Sequence, residues 1–103
     1  MLIHIVCWKY KDDIAEEIRE HHRSELKSLK AKIPEALDLQ VGKDVLHLDR
    51  SYDTGLVGQF RNIETLAAYD DHPTHKKVAA MGREISAHVV SVDFIVKDEA
   101  ASE

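Results

Sequence analysis

Cysteine, proline and glycine are scarce in this chain of 103 residues, at one, two and four copies. The lone thiol, Cys7, admits no internal disulfide and no tetrahedral thiolate metal site, and it fits a reducing, cytoplasmic setting. Glycines stand apart at positions 42, 55, 58 and 82, which excludes phosphate-cradling loops and dinucleotide-binding fingerprints. Positive charge is in deficit: 14 Lys and Arg face 19 Asp and Glu, a net charge of −5, with no basic stripe. Nucleic-acid binding needs clustered cations to displace counterions, so no nucleic-acid partner is expected. The apolar opening "MLIHIVCWKY" is too short to cross a bilayer and has neither a basic segment ahead of it nor a small-residue cleavage site. It reads as a strand, and no membrane partner is expected.

The composition that is present, 44% hydrophobic and 32% charged, is that of one globular domain, expected over residues 1–97 with a disordered acidic tail over 98–103. Leu2 to Lys9 alternates between two largely apolar faces, Leu2, His4, Val6, Trp8 and Ile3, Ile5, Cys7, Lys9. A helix follows, with Asp13 as its cap, the stripe Ile14, Ile18, His22, Leu26, Leu29, Ile33, and Pro34 as its stop. Strands are predicted over 36–43 and 54–60, joined by a connection that has room for a short extended piece at Val45 to Leu48. Gly55 and Gly58 mark a bulge or a close approach of another backbone. Asn62 caps a short helix, Pro73 interrupts it, a further helix spans 74–88 and a last strand spans 89–96. This order predicts an α+β, ferredoxin-like βαββαβ fold with a four-stranded antiparallel sheet.

In that topology the helices cover one sheet face and leave the other bare. A bare face about 20 Å by about 23 Å exceeds 400 Å² in footprint, more apolar patch than single subunits ordinarily expose. First and last strands are apolar on both sides, so a homodimer packed through the sheet face is expected.

The segments "HIVCWKYKDDI", "IPEALDLQVGKD", "SYDTGLVGQF", "IETLAAYDDHPTH" and "VVSVDFIV" together resemble the stress-responsive dimeric α/β-barrel (Dabb) family over nearly the whole chain. The resemblance implies two subunits closing their sheets into one barrel, with no cofactor. Related barrels include cofactor-free monooxygenases and plant polyketide cyclases that take small apolar substrates between helices and sheet. The cyclase branch implies an acid-base pair at the tyrosine and second histidine of the "Y..HP.H" segment, here Tyr69 and His75, with His4 lining the pocket. This chain departs from that branch at Leu26, where the branch has a tyrosine, and at Thr54, where it has a histidine.

The residues themselves leave alternatives open. His72 and His75 are three apart with a proline between them and no third donor fixed by sequence, which is not metal-site spacing, so no metal is expected. His72 reads as the cap of the helix that Pro73 opens. His75 lies on the same helix side as Val78, Met81, Gly82 and Ile85, either as a hydrogen-bonded core histidine or as a base beside Tyr69, which it meets only if the chain bends at His72 and Pro73. His4 and Trp8 share a strand face that lines either a pocket or the sheet interface. Gly82 leaves room for a ligand or lets its helix approach the sheet. The function expected is binding of a small apolar or aromatic ligand by His4, Trp8, Tyr69, His75 and Met81, or a mainly structural role; the alternative is a cofactor-independent enzyme, of the cyclase or monooxygenase kind, using His75 and Tyr69.

Overall fold

The computed structural model describes residues 1–97. Its elements run β1 (Leu2–Tyr10), α1 (Glu16–Lys32), β2 (Asp38–Lys43), β3 (Thr54–Phe60), α2 (Ile63–Asp71), α3 (Pro73–Ile85) and β4 (Ser86–Ile95). The sheet order is β2-β3-β1-β4 and every neighbouring pair is antiparallel. This is the ferredoxin-like arrangement, with the second helix of the βαββαβ pattern divided in two. The acidic tail expected over 98–103 lies outside the described residues.

The period-2 pattern of β1 sends Leu2, His4, Trp8 and Tyr10 under the helices, where all four are buried. Leu26, Leu29 and Ile33 from α1, Leu56 and Phe60 from β3, and Val78 and Ile85 from α3 close the core above them. Register places Ile3, Ile5 and Cys7 of β1 beside Phe94, Val92 and Val90 of β4 on the opposite face. Among the described residues no helix covers that face, and Val57, Val90, Val92 and Phe94 are each more than 40% exposed.

Several local expectations are corrected. Helix α1 starts at Glu16 with Ala15 at its boundary and no side-chain cap, so Asp13 does not cap it. The turn before it is held instead by Arg19, which donates from Nε to the Ile14 carbonyl at 2.9 Å and from a terminal nitrogen to the Lys11 carbonyl at 3.3 Å. Ile18 of the predicted stripe is 44% exposed, whereas Arg23, one residue beyond His22, is buried. The segment from Val45 to Leu48 bends and forms no strand: Asp44 accepts from the His47 amide, Ser51 accepts from the Leu48 amide, and His47 adopts a φ of 53°. Helix α3 ends at Ile85, three residues early, where the Ile85 carbonyl accepts from the Lys11 amide. Neither glycine of β3 makes a bulge; the register with β1 runs unbroken from Thr54 to Phe60. At Gly58 a Cβ would meet Leu39 and Phe60 side chains at 2.9 Å, so this glycine admits side chains and not a second backbone.

Asn62 caps α2 as expected, accepting from the Thr65 amide while Thr65 Oγ1 accepts from the Asn62 amide. Asn62→Ala should therefore cost about 1 kcal/mol of stability in urea unfolding, and an unchanged midpoint would contradict this capping role.

Candidate functional site

His72 carries extended backbone angles, φ −64° and ψ 134°, between the end of α2 and the start of α3, and its Nδ1 accepts from the Thr74 amide at 3.1 Å. The cap and the bend are the same residue. Because the chain turns there, Tyr69 at the end of α2 and His75 at the start of α3 meet with ring centroids 4.5 Å apart. Tyr69 also packs edge-on to Phe60 at 4.9 Å and to His4 at 6.4 Å. His4 Nδ1 donates to the Asp93 carboxylate across the β1–β4 ladder. Tyr69 is buried at 1% exposure, whereas the His75 side chain keeps 19% of its surface open, so the cluster is reached from the His75 side.

Electrostatics assign proton positions here. His75 Nδ1 lies 3.1 Å from the Asp70 carbonyl, which can only accept, so Nδ1 carries the proton and Nε2 presents a lone pair. Burial holds the His75 imidazole below its ordinary pKa; the Asp70 carbonyl and carboxylate pull the other way, while His4 and Arg83 push further down. The Asp70 carboxylate stands 3.7 Å from Nε2, where it would stabilise an imidazolium formed by proton capture. Burial raises the Tyr69 phenol above its usual range, with the Asp70 charge adding to the effect, so the hydroxyl stays protonated as a donor. The site thus joins a neutral base and a neutral donor. Among the described residues no group of three or more His, Cys, Asp or Glu is placed to hold a metal ion, and no helix is long and apolar enough to cross a membrane.

Residues 2–96 match the family described as the stress responsive A/B barrel domain. The chain belongs to that family. No curated protein matches it. Among solved structures, it is similar to a dimeric ferredoxin-like protein of unknown function from Thermobifida fusca, with 27% identity over 92% of this chain and 90% of that one and a TM-score of 0.84. A dimeric protein of unknown function from Bacteroides fragilis has 23% identity, coverage of 92% and 95%, and a TM-score of 0.78. The hydroxynitrile lyase of Passiflora edulis shares the fold at 17% identity, with 94% of each chain covered and a TM-score of 0.84.

Not all the expected ligand-binding residues of this A/B barrel domain join the cluster. Trp8 is four strand residues, roughly 13 Å, from His4. It packs edge-on to His22 at 5.2 Å in a second buried group. There the Tyr10 hydroxyl donates to Thr54 Oγ1 at 2.9 Å and receives His22 Nδ1 at 2.8 Å, and buried Arg23 donates to the same Thr54 oxygen at 2.9 Å. Arg23 also reaches Glu20 at 2.8 Å and Glu16 at 2.5 Å. Burial opposes its charge, but Glu20, Tyr10 and Glu16 outweigh that and raise its pKa. His22 Nε2 is buried without a partner among the described residues. Gly82 lets α3 close over this group and does not leave a ligand space, since a Cβ there would stand 2.8 Å from His22 Nε2 and 2.9 Å from Trp8 Nε1.

Met81 lines a separate cavity of about 360 Å³ between α1 and α3, with Thr74 and Val78 on its wall. Those two residues bracket His75 along α3. A hollow of about 540 Å³ lies on the bare sheet face, bounded by Cys7, Gly42, Gly55, Val57 and Tyr52. Sequence reasoning missed Asp93 and Phe60 as members of the main cluster and Tyr10, Arg23 and Thr54 as members of the second. Asp93 had one visible signal, as the lone acid of its strand.

Proposed function

We propose that this member of the stress responsive A/B barrel family acts as a homodimer that binds a small apolar or aromatic molecule against Tyr69 and His75, entering between α1 and α3. The observation that carries the reading is the meeting of the buried Tyr69 ring and the half-buried His75 ring, with centroids 4.5 Å apart, on the helix whose residues Thr74, Val78 and Met81 wall a groove. Such a pair fixes the orientation of a ligand with one polar atom on an apolar body. The dimeric solved relatives and the apolar bare face of the sheet support the assembly.

Benzaldehyde and phenol, titrated against the protein, should shift the ring resonances of Tyr69 and His75 in heteronuclear NMR spectra. Tyr69→Phe should weaken that binding about threefold to tenfold, the value of one hydrogen bond. Shifts confined to the bare sheet face would overturn the placement.

A second reading, a cofactor-independent acid-base enzyme, is favoured by the lone pair on His75 Nε2, with the Asp70 carboxylate 3.7 Å from the same nitrogen. His75 would take a proton from carbon next to a carbonyl or nitrile, and Tyr69 would donate to the oxygen or nitrogen where charge develops. A hydroxynitrile lyase with this fold is consistent with such proton chemistry. Deuterium uptake from D₂O into an aryl methyl ketone tests it: His75→Gln should slow enzyme-dependent exchange about 10² to 10⁴-fold with the dimer intact. Equal exchange by wild type, His75→Gln and buffer would leave binding alone.

A further inference from the structure

The β4 strand is unlike the other three. Its helix-facing side, Val89, Ser91, Asp93 and Ile95, is as exposed as its bare side, with Val89 at 42% and Ile95 at 70%. It is also a sheet edge, so its outward amides and carbonyls have no neighbouring strand among the described residues. Asp93 lies in the middle of this surface: its side chain is 40% exposed, while the His4 ring it holds is 11% exposed. One end of the His4, Tyr69 and His75 cluster is therefore open to water at an apolar strand edge.

Area indicates what covers it. A stable interface buries about 800 Å² on each partner. The bare sheet face, about 450 Å² in planar footprint, is one part of the apolar surface open to a partner. The exposed apolar surface continues from Val90, Val92 and Phe94 around the β4 edge to Val89 and Ile95, and solved relatives are dimeric. We propose that a second copy of the chain wraps the β4 edge as well as the bare face, and that by covering Asp93 it completes the candidate site, so that the His4–Asp93 hydrogen bond is shielded from water only in the dimer. This rests on the cluster being the ligand site, but the shielding can be measured without any ligand.

The measurement is the ring N–H of His4. Hydrogen-bonded to a carboxylate and shielded, it should give a slowly exchanging downfield resonance in the wild-type dimer. Val92→Glu puts a charge on the bare face, on the opposite side of the sheet from His4, and should yield a monomer by sedimentation. In that monomer the His4 ring proton should be lost to exchange with water, while the ring proton of His22, buried within one subunit, persists as proof of folding. A monomer that keeps the His4 signal would overturn the proposal, as would a Val92→Glu protein that remains a dimer. If Val92→Glu does not fold, hydrogen–deuterium exchange of the wild type over a dilution series replaces it. Protection of the β4 amides should then fall as the dimer dissociates, and concentration-independent protection would overturn the proposal. If ligand titrations fail while this coupling holds, only the functional reading is lost.

Discussion

Acidification from pH 7 to pH 4 is expected to remove about 3 kcal/mol of folding free energy through His22 alone. Its imidazole is fully buried and its pKa is pushed down to about 4, first by burial, then by the Arg23 charge and by His21. In the unfolded chain the same ring titrates near 6.5. The folded pKa is the lower one, so the unfolded state binds the extra proton. The stabilisation is thus fully present above about pH 6.5 and is lost as pH falls toward 4, with about 2 kcal/mol gone by pH 5.

Nothing around the ring can offset that loss. The Tyr10 hydroxyl, itself bonded to Thr54, faces Nδ1 from the sheet, Arg23 adds like charge from the same helix, Trp8 presents an indole edge, and Nε2 has no acceptor among the described residues. Urea unfolding at pH 7.5, 6 and 5 and one protein concentration measures the effect. His22→Gln should be less stable at pH 7.5 but show a smaller loss on acidification than wild type. His75 is displaced in the same direction, so it is the difference between the two proteins that isolates His22. Parallel losses in both would contradict this account.

The arrangement of layers was legible because it depends on periodicity. Alternation in 2–9 and 89–96 marked two strands of the sheet, which lie side by side as inner β1 and edge β4, and Asn62, His72 and Pro73 are local signals whose chemistry acts within three residues. The Tyr69–His75 encounter was legible for the same reason, as a bend at a proline. Asp93 was not, since its contact with His4 depends on the register between strands 89 residues apart, and register is a tertiary quantity. Arg23 was hidden by its charge. A helical arginine ordinarily reads as solvated, and only its placement over Thr54, with Glu16 and Glu20 on the same helix, allows it to be buried. Ile18 failed in the opposite sense: it falls on the apolar stripe, but at the N-terminal end of α1, and it stays exposed.

Gly82 gives the sharpest test of how the second buried group is packed. In an exposed helix interior, Gly→Ala would stabilise by about 1 kcal/mol. Here the new methyl would stand 2.8 Å from His22 Nε2 and 2.9 Å from Trp8 Nε1. Both are edges of rigid, buried rings, one held at Nδ1 by Tyr10 and the two wedged against each other at 5.2 Å, so neither can swing aside as a flexible chain end would. Overpacking of this kind costs about 1 to 3 kcal/mol against a propensity gain of about 1 kcal/mol, which makes Gly82→Ala destabilising by up to about 2 kcal/mol. Gly82→Val adds two further carbons and a β-branched penalty in mid-helix, and should lose about 3 kcal/mol. Because the clash is with one named ring, combining Gly82→Ala with His22→Ala should be less damaging than the sum of the two, with a coupling above about 1 kcal/mol in a double-mutant cycle of unfolding free energies. Additive losses would mean that α3 backs away as a unit, and Gly82→Ala alone raising stability would mean that the rings yield and that Gly82 is not what brings α3 down onto the sheet.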